Sequence, residues 1–316
     1  MNITHNSTEQ RLLIKVSSMY YDQELNQQQI ADRLNLSRPK VSRLLKMARD
    51  TGVVQIKVIT PSTHYIDLEI ELERRYKLQE VVIVDGDNLS HELLKRKLGI
   101  AAAEYLLRTI TKNDVVGVTW GTTLQEMVDA LIPLPTEDVH VVQALGGVGP
   151  PEAKAHSTDI SRRLSQILNS KLTLLSAPGI VGSAEAKNIL LSDWQVKSAL
   201  KLFSKINKLF VGLGGIETNP VLQPSSQDVT EDLYNEIIHS NAVGDIALRF
   251  FDVNGNPVVS KLDDLTIGIT IPEIKNIDTV IAIAGGLEKL HVIQGALSGQ
   301  LINVLITDRE TSEALL

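Results

Sequence analysis

Seven short runs of Val, Ile and Leu punctuate this chain from residue 80 onward, and they restrict its fold more than any other feature. They are EVVIV at 80–84, VVGVTW at 115–120, VHVVQAL at 139–145, LTLLSA at 172–177, LFVGLG at 209–214, TVIAIA at 279–284 and INVLIT at 302–307. Each is nearly continuous in apolar residues, as strands buried on both faces of a parallel sheet are. Amphipathic stretches such as LLKRKLGIAAAEYLLRTI and DWQVKSALKLFSKI separate them, which predicts strand then helix in repetition and an open α/β sheet. One segment breaks the rhythm. At 246–270, IALRFFDVNGNPVV and LTIGIT read as antiparallel strands with an NGN turn.

The first 60 residues have a different pattern. Residues 37–49 read SRPKVSRLLKMAR, five cations and no acid. Val41, Leu44, Leu45 and Ala48 fall at i, i+3, i+4 and i+7 and share an inward stripe. Upstream, 26–36 reads NQQQIADRLNL, with Ile30, Ala31 and Leu34 on a second stripe and Asn26 and Gln29 spaced as a capping pair. Two short helices joined at 35–37 make a helix-turn-helix. An earlier helix, EQRLLIKVSSMYYD, offers Leu12, Val16, Met19 and Tyr20 to cover it. Ser37 suits an N-cap, Pro39 the first turn, and Gly52 a stop before the alternating VVQIKVI at 53–59, a strand that would form a small wing.

An acid-free cationic face suits phosphates and guanine edges. Arg38, Lys40, Ser42 and Arg43 are assigned to the major groove of double-stranded DNA, where Arg can grip guanine O6 and N7. Lys46 and Arg49 are assigned to backbone phosphates, and Gln27, Ser37 and Pro39 to the same surface. Charge supports this division. Residues 1–60 carry 9 Lys or Arg and 5 Asp or Glu, a net of +4, so the chain's net of −7 leaves −11 for the rest. Only the head attracts nucleic acid.

At 316 residues the chain exceeds one small domain. The expected divisions are a DNA-binding domain at 1–60, a linker helix within 61–79, and a ligand-binding and oligomerisation domain at 80–316. No apolar run approaches eighteen residues, and MNITHNSTEQ lacks the apolar stretch of a signal peptide. A soluble, cytoplasmic protein without membrane contact is expected. The absence of cysteine excludes disulfides and thiolate chemistry. The seven histidines have no metal-ligand spacing, so neither metal nor cofactor is expected.

Ligands on open α/β sheets sit beyond the carboxyl ends of strands, so strands that stop at glycine are informative. In GVTWGTTL at 117–124, Gly121 would let backbone approach an anion, while Thr122 and Thr123 open a helix whose N–H groups are unpaired. ALGGVG at 144–149, AVGD at 242–245 and AGGLEK at 284–289 add further glycines, the acid Asp245 and the cation Lys289. Any one of these is ordinary turn or cap chemistry. Together, two anion-friendly loops, an acid and a Lys favour a phosphorylated polyol over a flat apolar ligand.

The head (YYDQELNQQQIADRLNLSRPKVSRLLKMARDTGVVQI), then GVTWGTTL, VVQALGG, AVGDI, RFFDVNGN, AIAGGLEK and NVLITDRETSEALL, in that order, resemble the SorC/DeoR-type sugar-binding bacterial transcriptional regulators essentially end to end. The resemblance implies a homotetrameric repressor or activator whose body is similar to sugar-phosphate isomerases and holds a phosphosugar, and a homodimer or homotetramer is the expected assembly. Gly121, Thr122 and Thr123 would hold the phosphate, Asp245 and Lys289 would contact the sugar or its phosphate, and Gln143, Gly146 and Gly147 would border the cleft. Some relatives carry a cation just before the double glycine. Here Ala144 and Leu145 stand there, which removes that charge and any Schiff base. Two alternatives stay open on the residues: an isomerase-like enzyme using the acid and the Lys as proton carriers, and a DNA-tethered module without ligand.

Overall fold

The computed structural model describes residues 4–55, 65–148, 155–217, 219–222 and 229–316, and the chain divides into two units, Met1–Pro61 and Ser62–Leu316. In the first, helices α1 (Thr4–Tyr21), α2 (Gln27–Leu34) and α3 (Arg38–Asp50) enclose one core. Leu13, Val16 and Met19 meet Ile30, Ala31 and the whole expected stripe of α3: Val41, Leu44, Leu45 and Ala48. Met47 lies off that stripe and is 40% exposed. The expected wing does not form at Val53, Val54 and Gln55, which make no strand. Instead the Val54 N–H returns to the Ala48 carbonyl at 2.9 Å. Residues 56–59 lie outside the described residues.

The second unit begins with α4 (Ile66–Tyr76), then alternates: β1 (Glu80–Val84), α5 (His91–Thr109), β2 (Val115–Val118), α6 (Thr122–Ala130), β3 (His140–Gln143), α7 (Ser157–Leu168), β4 (Lys171–Thr173), α8 (Ala184–Ser192), α9 (Trp194–Leu200) and β5 (Lys208–Gly215). After α10 (Glu231–Ile238) come the short β6 (Gly244–Ile246) and β7 (Arg249–Phe251), then α11 (Lys261–Leu265), α12 (Ile271–Ile274), β8 (Thr279–Ile283), α13 (Leu290–Ser298), β9 (Val304–Asp308) and α14 (Arg309–Leu315).

The main sheet runs β1-β9-β8-β5-β2-β3-β4, with every neighbouring pair parallel. Alternate residues of each strand enter different cores, as period two demands. Val116, Val118, Val141, Phe210, Ile281, Ile283, Val304 and Ile306 pack with α5, α6 and α7. Leu209, Val211, Val280, Ala282 and Leu305 pack with α4, α9, α13 and α14. Burial on both sides explains why the runs lacked polar alternation. The strand order reverses between β2 and β5, and at such a switch point the strand ends part to leave a crevice.

Two expectations are corrected. Within the 61–79 segment, read as a separate linker helix, the helix forms as α4 but packs as part of the second unit. Leu72 is fully buried, and the Tyr76 hydroxyl donates to the Leu315 carbonyl at 2.8 Å. Glu69 and Glu73 of α4 accept the N–H groups of Ile83 and Val81 at 2.9 Å each. Four helical residues advance about 6 Å and two strand residues about 6.6 Å, so the spacings match.

At the 246–270 insertion, β6, which begins two residues earlier at Gly244, and β7 run antiparallel to each other and, through β6, to β5. LTIGIT is not a strand. The buried Arg249 guanidinium takes the carbonyls of Thr266, Gly268 and Ile269 together with the Asp263 carboxylate. Only single bridges, Leu145 with Gly268 and Ile180 with Thr266, remain.

Candidate functional site

In the helical head, α2 starts on the expected capping box: the Asn26 side chain accepts from the Gln29 N–H at 2.9 Å, and the Gln29 side chain accepts from the Asn26 N–H at 2.9 Å. It ends at Asn35, whose φ of +52° supplies the left-handed turn that Asn tolerates. Ser37 is the N-cap of α3, but its hydroxyl makes no capping bond. That leaves the hydroxyl available at the surface. Arg38, Pro39, Lys40, Ser42, Arg43, Lys46 and Arg49 are all exposed, and Gln27 is half-buried. None of the five cations on α3 pairs with an acid within 4.0 Å among the described residues. A helix whose cations are left uncompensated presents them to an external polyanion.

In the larger unit, the second site is assembled around the last residues of β5. On one side of β5 the Trp120 carbonyl comes within 3.8 Å of where a β-carbon on Gly212 would stand, and β2 leads through Trp120 into Gly121. Gly121 has φ +123° and ψ 157°, a conformation open essentially only to glycine, and among the described residues nothing lies within 4 Å of where its β-carbon would stand. Its N–H is bonded to the Ala155 carbonyl at 3.1 Å. Thr122, Thr123 and Leu124 then open α6 without a side-chain cap, so among the described residues their N–H groups are the unpaired donors of a helix start.

On the other side stand the acid and the Lys. The Lys289 ammonium donates to the Leu213 carbonyl of β5 at 2.7 Å. Asp245 follows Gly244 on β6, opposite Gly214 of β5, where a β-carbon would lie 2.2 Å from its Oδ1. Only glycine at 214 admits the carboxylate. Asp245 is 3% exposed. It accepts from Asn219 Nδ2 at 2.7 Å and from the Leu248 N–H at 2.8 Å. Burial raises its pKa to about 6 against these two bonds and the charge of Lys289. Burial, aided by Lys95, also holds Lys289 below the usual lysine range, with Asp245 and Glu288 opposing. A buried acid and a buried Lys with pKa values moved toward each other make this a candidate site for a polar ligand.

The double glycine behaves otherwise than expected. Gly146 and Gly147 N–H groups are already bonded to the Ile267 and Ala177 carbonyls at 3.0 and 2.9 Å, so they are not free for an anion. These glycines allow close packing instead: a β-carbon on Gly146 would stand 2.6 Å from the Pro178 backbone, and one on Gly147 2.9 Å from the His156 ring. Gly149 lies outside the described residues. Gln143 is fully engaged, donating to the Leu145 carbonyl at 2.8 Å and the Ser157 hydroxyl at 3.0 Å, and accepting from Thr158. It locks the start of α7 against the end of β3. Ala144 and Leu145 are wholly buried, so no charge at those positions faces outward.

Sequence reasoning missed Asn219, the buried partner of Asp245, and Ser157, the partner of Gln143. It also missed Asp308, which accepts from the Gly286 N–H at 2.7 Å and from Thr311, holding the 284–289 loop. The N-cap spacing of Asp308 and Thr311 was a usable signal for the last.

The Sugar-bind family model, which describes a sugar-binding domain, matches residues 60–316, and the model for region 4 of Sigma-70 matches 9–51. The "Deoxyribonucleoside regulator" of Bacillus subtilis (strain 168) is 32% identical over 306 residues, 97% of each chain. The chain belongs to the SorC/DeoR-type family of sugar-binding transcriptional regulators. The "Sorbitol operon regulator" of Klebsiella pneumoniae, another relative, is 29% identical over 98% of this chain and 99% of its own. The crystal structure of full-length SorC from Klebsiella pneumoniae superposes with a TM-score of 0.75 at 28% identity, covering 96% of this chain and 98% of that one. This family member is accordingly a DNA-binding regulator with a sugar-effector domain, and the enzyme alternative falls because its matches are regulators. Among the described residues, no helix is long and apolar enough to cross a membrane.

Proposed function

We propose that this regulator controls a carbohydrate-utilisation operon and that its effector is a phosphorylated sugar or polyol. The phosphate sits on the N–H groups at the start of α6, beside Gly121, Thr122 and Thr123. Asp245 and Lys289 hold the carbohydrate hydroxyls, or the phosphate from its far side. The observation that carries this reading is the open Gly121 face and the uncapped α6 start on one flank of β5, with a buried acid and Lys on the other. A helix start favours an anion, and paired polar groups suit hydroxyls. Gln143, Gly146 and Gly147 shape the neighbouring wall without donating to the ligand.

On the DNA side, Arg38, Lys40, Ser42 and Arg43 read bases in the major groove, while Lys46 and Arg49, with Gln27, Ser37 and Pro39 nearby, position the backbone. The regulator acts in the cytoplasm as a dimer or tetramer, since two heads on half-sites related by a two-fold axis need at least two copies. Effector and operator then influence each other reciprocally, by about 1 to 3 kcal/mol.

Melting the full-length protein with a panel of sugar phosphates and the matching free sugars tests the effector assignment. A raised melting temperature with a phosphorylated member, a smaller one with its free sugar, and no turnover are expected. A panel that leaves the melting temperature unmoved, or stabilisation by free sugars alone, overturns it.

A further inference from the structure

Helix α5 lies against α6 at Gly99, where a β-carbon would stand 2.5 Å from Glu126 Cβ and 2.6 Å from its carbonyl carbon. Outside this contact the two helices leave an open groove of about 680 Å³, lined in part by Leu93, Ile100, Ala103 and Leu107 of α5. Leu93 is 50% exposed and Ile100 42%. Large apolar side chains grouped on one outward face mark a surface that something covers.

The order of residues along α5 identifies the cover. Leu93 lies seven residues before Ile100 and Leu107 seven after; Arg96 lies four before and Glu104 four after. Turning the helix end over end about Ile100 therefore sets Leu against Leu and Arg against Glu. A two-fold contact demands that one surface complement itself in this way. Four residues advance about 6 Å along the axis, so Arg96 of one copy and Glu104 of the other stand at the same level. Neither has an opposite charge within 4.0 Å in its own chain among the described residues.

We propose that α5 is a two-fold interface on which the same helix of a second copy of this chain docks antiparallel, centred on Ile100. The proposal rests on the reading that the regulator works as more than one copy, and it names the surface that joins them.

The absence of cysteine makes the test direct. Ile100→Cys gives each full-length copy one thiol, and a disulfide needs Cα atoms within about 7 Å, as they are at a two-fold centre. Mild oxidation is expected to yield a covalent dimer, whereas Ile132→Cys, 66% exposed elsewhere, is expected to stay single. In sedimentation, Arg96→Glu should weaken self-association by about tenfold or more, and adding Glu104→Arg should restore it. Restoration cannot come from a misfolded chain. An unaltered protein that sediments as a monomer at micromolar concentration overturns the multi-copy reading itself. A dimer in which Ile100→Cys cross-links no better than Ile132→Cys, or in which the double exchange matches the single, overturns the α5 interface alone.

Discussion

The Asn219 side-chain amide donates to the Asp245 carboxylate at 2.7 Å in a place with almost no solvent access. Even with that bond and the Leu248 N–H at 2.8 Å, loss of hydration dominates and the acid titrates near 6. An acid whose folded pKa lies above its unfolded value of 3.8 binds more protons when folded between those two limits. Its contribution to stability therefore falls as pH rises from about 4 to 6 and is level above that.

The free-energy difference between the natural chain and Asp245→Asn should move with pH accordingly. From pH 4 to pH 7 it is expected to shift toward the Asn variant by up to roughly 3 kcal/mol, at 1.36 per pH unit. Urea titrations at several pH values measure this. A difference that does not change with pH contradicts the dehydration account.

Binding of operator DNA should separate readers from positioners on α3. Arg43→Ala is expected to cost about 1 to 3 kcal/mol and relax preference at one base pair. Lys46→Ala is expected to weaken all sequences alike and to lower the salt slope by about 1. Fluorescence anisotropy at several salt concentrations, with specific and random duplexes, gives both quantities. Equal behaviour of the two variants would remove the distinction.

Among the described residues nothing crowds a methyl group at Gly121, but its backbone conformation does not suit one. Gly121→Ala is expected to destabilise the larger unit by about 1 to 3 kcal/mol, the strain of a glycine-only conformation. It should also abolish stabilisation by a phosphorylated effector. A variant that retains native stability and an unchanged melting response would show that this backbone conformation is unimportant.

Asp114, 3% exposed, accepts from Lys208 at 2.6 Å, from Asn207 at 2.9 Å and from the Thr111 N–H at 2.7 Å. Burial alone would raise its pKa, but the bonds from Lys208, Thr111 and Asn207 outweigh it and hold the acid ionised. Asp114→Ala strands the Lys208 ammonium and is expected to cost about 3 to 5 kcal/mol. Chemical denaturation measures the loss. A cost below about 1 kcal/mol would place the pair among weak surface bridges.

Patterns that depend on periodicity were legible in advance. The α3 stripe and the run at 80–84 lie where the spacing puts them, because burial on a fixed face leaves a local imprint. The other runs hold strands whose ends shift by at most two residues, except LTLLSA, which retains only β4, begun one residue earlier and ended four residues sooner. What local pattern could not convey was partnership across the fold. Arg249 claims the carbonyls that LTIGIT would need as a strand, from fifteen or more residues away. The Gly146 and Gly147 N–H groups looked free for an anion because their acceptors, Ile267 and Ala177, are remote in sequence. Asn219 carries no motif, and only the approach of β6 to β5 gives it a role.

The carboxylates of Glu69 and Glu73 occupy the outward N–H groups of β1, and that has a consequence for how molecules of this kind meet. A foreign segment seeking to prolong the sheet past β1 finds its donors taken and two negative charges in front of them. Runaway cross-β stacking is thereby discouraged on that flank.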